Sequence, residues 1–266
     1  MAWTERQRSM LGAMGLRVWE PAPGRAIASA AVAAPVSAAA PVAVSVPARV
    51  PMPAPPPPAR EPAVAGSGAL ATLGWPELRA TVAACRACSL CEGRTQTVFG
   101  VGHEQAQWMV VGEAPGESED LQGEPFVGAA GQLLDRMLAA LGLTRSTEGP
   151  APPSQRVYIA NTLKCRPPRN RNPAPEEMAQ CEPFLVRQIE LLKPRIILAM
   201  GRFAVQALLR SDAPVGKLRG RVHRYQGVPL IVTYHPAYLL RSLPEKARAW
   251  EDLCLAASVA EQGAAA

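Results

Sequence analysis

The 266-residue chain is poor in aromatic side chains, with 4 Phe and 4 Tyr, and it holds only 3 His. Its 28 prolines cannot be spread evenly over a packed core with so few large rings, so some stretch must lie outside one. It also lacks a long apolar run of membrane type. The longest uncharged stretch, 26–48, is built of Ala, Ser and Val and contains Pro35, Pro41 and Pro47, a poor composition for a spanning helix. The first 20 residues mix Glu5, Arg6, Arg8, Arg17 and Glu20 with no apolar h-region, so no secretory signal is expected and a cytoplasmic location is. A strong charge of either sign is missing too. The net charge of +6 divides evenly between residues 1–65 and the remainder, which is compatible with a nucleic-acid partner without indicating one.

Proline marks the organisation. Residues 21–65 hold 12 of the 28 prolines and end in Pro55-Pro56-Pro57-Pro58, the composition of an extended tether. Ahead of it, Met10, Leu11, Met14, Leu16 and Trp19 recur at roughly helical spacing, which predicts a short amphipathic helix over 1–20. Such a helix is marginal alone and gains order by docking. The division is therefore a docking segment over 1–20, a disordered linker over 21–68 and one domain over 69–262.

In that domain apolar runs alternate with amphipathic segments. Strands are expected at Trp108–Val111, Val157–Ala160, Arg195–Met200 and Pro229–Tyr234, and helices at Gln132–Leu141, Glu176–Leu192, Phe203–Leu209 and Glu245–Ala260. Alternation of this kind predicts a three-layer α/β/α fold with a mainly parallel, four-stranded central sheet. Sites in such sheets form at the carboxyl ends of strands. The residues just past those ends are Glu113, Asn161, Gly201 and His235, which brings a carboxylate, a carboxamide and an imidazole to one edge.

Six cysteines occur at 85, 88, 91, 165, 181 and 254. In a chain of this class, clustered cysteines point to metal or reactivity rather than disulfides. Four thiolates hold either zinc or an iron–sulfur cluster, and spacing alone does not choose between them. Cys254, on the apolar face of the last helix, reads as core. The basic run Lys164, Arg166, Arg169 and Arg171, with no acid until Glu176, is of the kind that grips backbone phosphates.

Four segments in this order carry a specific resemblance: Gly112-Glu-Ala-Pro-Gly-Glu-Ser-Glu-Asp120, Gly123-Glu-Pro-Phe-Val-Gly-Ala-Ala-Gly-Gln-Leu-Leu134, Asn161-Thr-Leu-Lys-Cys-Arg-Pro-Pro168 and His235-Pro-Ala-Tyr-Leu-Leu-Arg241. From about residue 75 to 260 the chain resembles the family 4, iron–sulfur, uracil-DNA glycosylases. The resemblance implies a monomeric, monofunctional enzyme that hydrolyses the N-glycosidic bond of deoxyuridine in DNA and so starts base excision repair near the nucleoid. It implies a [4Fe–4S] cluster on Cys85, Cys88, Cys165 and Cys181, with Cys91 an added thiol nearby.

The target base is inaccessible inside a duplex and must be flipped out or met single-stranded. By resemblance, Phe126 is the stacking platform and Asn161 reads the uracil edge, a pattern cytosine cannot satisfy because it lacks the N3 proton. Glu119 then lies where a 5-methyl group would point, although it is also a helix-start acid. His235 would stabilise charge developing on uracil O2, as a neutral imidazole N–H donor. Glu113 would position or activate water, or favour the cationic sugar. Lys164, Arg166, Arg169 and Arg171 would hold phosphate, and Leu239, Leu240 or Arg241 would fill the space the flipped base leaves.

A branch of the superfamily is trapped covalently on DNA through a histidine in an inserted Lys-Arg-Arg-Ile-His loop. Here the loop after Cys165 reads Arg-Pro-Pro-Arg-Asn-Arg-Asn-Pro, so turnover is expected. The segment from Met10 to Pro21 resembles the docking peptide of the psi subunit of the bacterial clamp loader, which implies a replisome contact. The competing reading is a non-catalytic DNA-binding or polymerase-accessory protein on the same fold.

Overall fold

The computed structural model describes residues 70–262, together with Ser9, Met10 and Gly12, which are helical. The remainder of the expected docking segment, and the linker over 21–68, lie outside the described residues. Among the described residues no helix is long and apolar enough to cross a membrane.

The domain begins with α1 (Trp75–Ala84), α2 (Leu90–Gly93), β1 (Val101–Gly102) and β2 (Trp108–Gly112). Next come α3 (Glu117–Gln122), α4 (Ala129–Ala140), β3 (Val157–Asn161), α5 (Pro175–Leu192) and β4 (Ile196–Met200). The described residues finish with α6 (Arg202–Leu209), α7 (Val215–Leu218), β5 (Val222–Tyr225), β6 (Val228–Thr233), α8 (Pro236–Arg241) and α9 (Glu245–Gln262).

The four expected strands are β2, β3, β4 and β6, and they form the parallel centre of the sheet. The sheet itself has six strands in the order β1-β3-β2-β4-β6-β5, because a short antiparallel strand closes each edge. Neither edge strand carries an apolar run: β1 is two residues long, and β5 reads Val-His-Arg-Tyr with every other residue exposed. Every residue of β2, β3 and β4 is buried, as expected for parallel strands covered on both faces.

Side-chain alternation sends Met109, Val111, Tyr158, Ala160, Ile197 and Ala199 to one face, against Leu185, Ile189 and Leu192 of α5 and Val205 and Leu208 of α6. Truncating one of these large aliphatics to Ala costs about 2–5 kcal/mol. The opposite layer includes α9, which packs on β4 and β6 and buries Trp250 and Leu253. A second cluster joins α1 to α5 through Leu78, Val82, Leu163 and Phe184, with Cys165 and Cys181 inside it. Because β2 lies between β3 and β4, the chain leaves β2 to one side and later crosses to the other. That reversal opens a crevice beyond the carboxyl ends of the strands.

Candidate active site and cysteine cavity

A cleft of about 800 Å³ fills that crevice, and its wall includes Glu113, Asn161, Gly201 and His235, one residue from beyond or at the end of each central strand. Phe126 and Glu119 reach the same cleft from the segments joining β2 to β3. The juxtaposition expected from the strand ends is therefore present.

Asn161 is the last residue of β3 and 3% exposed, and its Oδ1 is buried with no hydrogen-bond partner. An unsatisfied buried acceptor costs about 1–3 kcal/mol, which a ligand N–H placed there would recover. Phe126 lies beside it, stacked on His235 with ring centroids 5.3 Å apart and planes inclined by 30°. The intimacy depends on Gly112. A Cβ there would stand 2.4 Å from Asn161 Oδ1 and 2.7 Å from two carbons of the Phe126 ring.

Phe126 holds φ at 56°, a left-handed backbone that a bulky residue adopts only under constraint. The constraint is Arg145. Its two terminal nitrogens donate to the carbonyls of Pro125 and Phe126, at 2.9 and 3.0 Å, while its Nε donates to Asp135 at 2.7 Å. Gly131 leaves room for the Phe126 carbonyl, which a Cβ would meet at 1.7 Å. Glu119 braces the same loop: one carboxylate oxygen accepts from the backbone N–H groups of Val127 and Gly128, the other from Gly116, each at 3.0 Å. Both oxygens are thus engaged by backbone, so the helix-start role is present and any contact with a ligand is steric.

His235 precedes α8, and its Nδ1 accepts the Ala237 N–H at 3.2 Å. The ring proton of the neutral form therefore sits on Nε2, the other nitrogen, as a donor. Burial, reinforced by the Arg241 guanidinium, lowers its pKa to about 4, so the neutral form prevails at ordinary pH. Burial raises the Glu113 pKa, and Arg202 at the start of α6 acts against that rise. The Glu113 carbonyl accepts from the Thr162 hydroxyl and the Leu163 N–H, tying the β2 exit to the β3 exit.

The basic run divides. Lys164 is 1% exposed, and its ammonium donates to the Asn161 carbonyl at 2.8 Å and to Gln188 Oε1 at 2.7 Å. The expectation that it faces phosphate fails, because its position next to Cys165 turns the side chain inward beneath β3. Arg166 bonds Asn170 and lies 3.6 Å from Glu117, and Arg171 grips Glu177 with both terminal nitrogens. Arg169 is exposed, with φ at 54°. Of the leucines, Leu239 is fully buried and leaves the wedge group, whereas Leu240 is 42% exposed beside an exposed Arg241.

Cys85, Cys88, Cys91, Cys165 and Cys181 border one small cavity behind β3, with Val82 and Phe184 as apolar lining. Arg94 Nη1 donates to Cys165 Sγ at 3.0 Å, and the Lys164 N–H donates to Cys181 Sγ at 3.2 Å. Burial raises the Cys88 and Cys165 thiols and pushes Cys181 up to about 12. Among the described residues no three Cys, His, Asp or Glu side chains converge closely enough to hold a single metal ion. The thiols ring a cavity instead. Arg145 and Gln188 escape a reading of the sequence, since neither sits in a motif and each acts through backbone or buried contacts; Gly112 opens the first motif, but its close approach to Asn161 and Phe126 shows only in the structure.

Comparison with known proteins agrees with this geometry. The family model described as "Uracil DNA glycosylase superfamily" matches residues 99–254. A type-4 uracil-DNA glycosylase of Archaeoglobus fulgidus is 45% identical over 167 residues, 60% of this chain and 79% of the relative. Type-4 enzymes of Pyrobaculum aerophilum and Thermotoga maritima are each 42% identical, covering 64% and 62% of this chain and 87% and 82% of their own lengths.

Proposed function

The chain belongs to the uracil-DNA glycosylase superfamily, in its type-4 branch, and from that premise we propose how its own residues excise uracil from DNA. The observation that carries the reading is the partnerless Asn161 Oδ1, buried between Phe126 and Gly112 in the cleft at the strand ends. In this reading the extruded uracil lies against Phe126 and donates its N3–H to that oxygen, while the amide of Asn161 donates to a ring carbonyl. Cytosine has no N3 proton and leaves the acceptor empty, so rejection rests on a buried unpaired group. Thymine shares the uracil edge and must be refused by bulk, a role that the braced Glu119 side chain fits.

Cleavage of the N-glycosidic bond builds positive charge on the sugar and negative charge on the base. The Nε2–H of neutral His235 is the donor available to the base oxygen, which lowers the barrier by electrostatic stabilisation without a full proton transfer. Glu113, on the sugar side in this scheme, favours the cationic sugar or orients the attacking water. Arg166, Arg169, Arg171 and Arg241 supply the phosphate contacts, and Leu240 fills the vacated stack.

The all-thiol donor set of the cysteine cavity fits the iron–sulfur cluster that the type-4 resemblance implies. Thiols ring the space, and N–H groups of Arg94 and Lys164 point at two of the sulfurs, as ligating thiolates require. Cys85, Cys88, Cys165 and Cys181 would hold a [4Fe–4S] cluster, which would tie the segment before β1 to the loop after β3. For residues 1–20 we retain the docking reading; capture of a clamp-loader subunit by a 1–25 fusion, lost in Trp19→Ala, is its test.

Excision from a single-stranded oligonucleotide holding one uracil, followed by alkaline cleavage, tests the site. Protein purified without oxygen should form abasic sites, and Asn161→Ala and His235→Ala should each lower the rate by two orders of magnitude or more. DNA binding without excision would favour the accessory-protein reading.

A further inference from the structure

We propose that Lys164 is a positioning residue for base recognition, its buried ammonium fixing the end of β3 so that the Asn161 carboxamide faces the cleft. The proposal rests on the uracil reading of Asn161 given above. Lys164 is three residues beyond Asn161, and its side chain folds back to donate to the Asn161 carbonyl at 2.8 Å. The same ammonium donates to Gln188 Oε1 at 2.7 Å, and Gln188 is itself locked by donating to the Phe99 carbonyl at 3.0 Å and the Tyr158 hydroxyl at 3.1 Å. Gln188 is on α5 and fully buried. The chain of bonds therefore anchors the recognition residue to the helix behind the sheet.

The backbone of Lys164 is held as firmly. Its N–H donates to Cys181 Sγ at 3.2 Å and its carbonyl accepts from Val98 N–H at 2.8 Å. One residue thus touches the cysteine cavity through its main chain and the base-reading asparagine through its side chain. A strand-end carbonyl needs a donor, and a charged one makes the stronger bond. The side-chain nitrogen is fully enclosed, and its two hydrogen bonds run to the Asn161 carbonyl and to Gln188 Oε1. A donor enclosed in the core and bonded directly to the recognition residue is what a positioning role explains and a phosphate contact does not.

Lys164→Met keeps the aliphatic volume and removes the donor. Four quantities are compared with wild type: inhibition by free uracil, affinity for a uracil-free single strand, iron content with visible absorption, and single-turnover excision. The expected result is a rise of about tenfold or more in the uracil inhibition constant, the size of a lost charged hydrogen bond. DNA affinity should stay within about twofold and the iron content should be unchanged. In the Asn161→Ala background the same change should add less than about twofold, because the group it positions is gone.

An unchanged inhibition constant, additive losses with Asn161→Ala, or a selective loss of affinity for uracil-free DNA would each overturn the proposal. Should Lys164→Met fail to fold, Gln188→Leu decides: it removes the second anchor, and it too must weaken uracil inhibition, an unchanged constant again overturning the idea. A wild type that binds DNA yet excises no uracil defeats the functional reading itself. An active wild type with unaltered variants defeats only the role of Lys164.

Discussion

Replacing Gly112 with Ala adds one carbon against Asn161 and Phe126, two residues of the cleft wall. Gly112 pairs with Asn161 across the β2–β3 ladder, and the backbone there suits any residue, so the effect is steric rather than conformational. The new Cβ would sit 2.4 Å from Asn161 Oδ1 and 2.7 Å from Cε2 and Cζ of Phe126. Ordinary contacts are about 3.5 Å or more, so both partners must retreat by roughly 1 Å. Neither retreats freely. Asn161 is anchored by Lys164, and the Phe126 backbone is clamped by Arg145. Overpacking at such a site costs about 1–3 kcal/mol. Felt in the transition state, that is a loss of about 5- to 150-fold in kcat/KM, at about 1.4 kcal/mol per decade. The assay is single-turnover excision on a single-stranded uracil substrate, with thermal unfolding measured alongside. Activity within twofold of wild type would refute the idea that Asn161 and Phe126 hold the base together in this arrangement.

Three further outcomes are expected. Because the native pKa of His235 lies at about 4 and its ordinary value at 6.5, the unfolded chain binds more protons between these limits. His235 therefore contributes stability that is complete above pH 6.5 and lost as the pH falls towards 4, and His235→Asn should narrow the difference in Tm between pH 7 and pH 5. An unchanged difference would show that the imidazole is not held neutral by the fold. Arg202 opposes the rise that burial imposes on Glu113, so Arg202→Met should move the acidic limb of the excision profile to higher pH, and Glu113→Gln should remove that limb; a limb that stays in both belongs to another group. Leu240 is 42% exposed, so Leu240→Ala should leave Tm nearly unchanged while lowering excision from duplex substrate more than from single strands. Equal losses on the two substrates would remove it from the wedge role.

Much of the fold is legible because the parallel strands are nearly pure apolar runs that admit few alternative pairings. The site is legible for a related reason: strand ends in such a sheet converge, so the polar residues following Trp108–Val111, Val157–Ala160 and Pro229–Tyr234 fall into one cleft. The edge strands were hidden by their shortness and their exposed faces. Lys164 is the instructive failure. Its neighbours Arg166, Arg169 and Arg171 are exposed or half-exposed, and by charge alone it belongs with them. What separates it is the phase of the chain after β3, where Cys165 must face the cysteine cavity and Lys164 turns under the strand toward Gln188. Nothing in local composition announces a buried amide 24 residues away as the partner of a lysine.

The same contrast explains how the cleft is built. A recognition site must keep one acceptor dry and unpaired until its ligand arrives, and a chain tends to relieve such an atom by moving it. Here movement is opposed from three sides: Lys164 and Gln188 hold the backbone of Asn161, Arg145 and Gly131 hold Phe126 in a left-handed conformation, and Glu119 fastens the loop between them to the start of α3. The residues proposed to meet the base are few and motif-borne. The residues that keep them poised are scattered through α3, α4, α5 and the loops, and they act on the backbone carbonyls and N–H groups around the site. A substitution in this supporting set should therefore weaken uracil binding while sparing DNA affinity, whereas one in the exposed arginines should do the reverse.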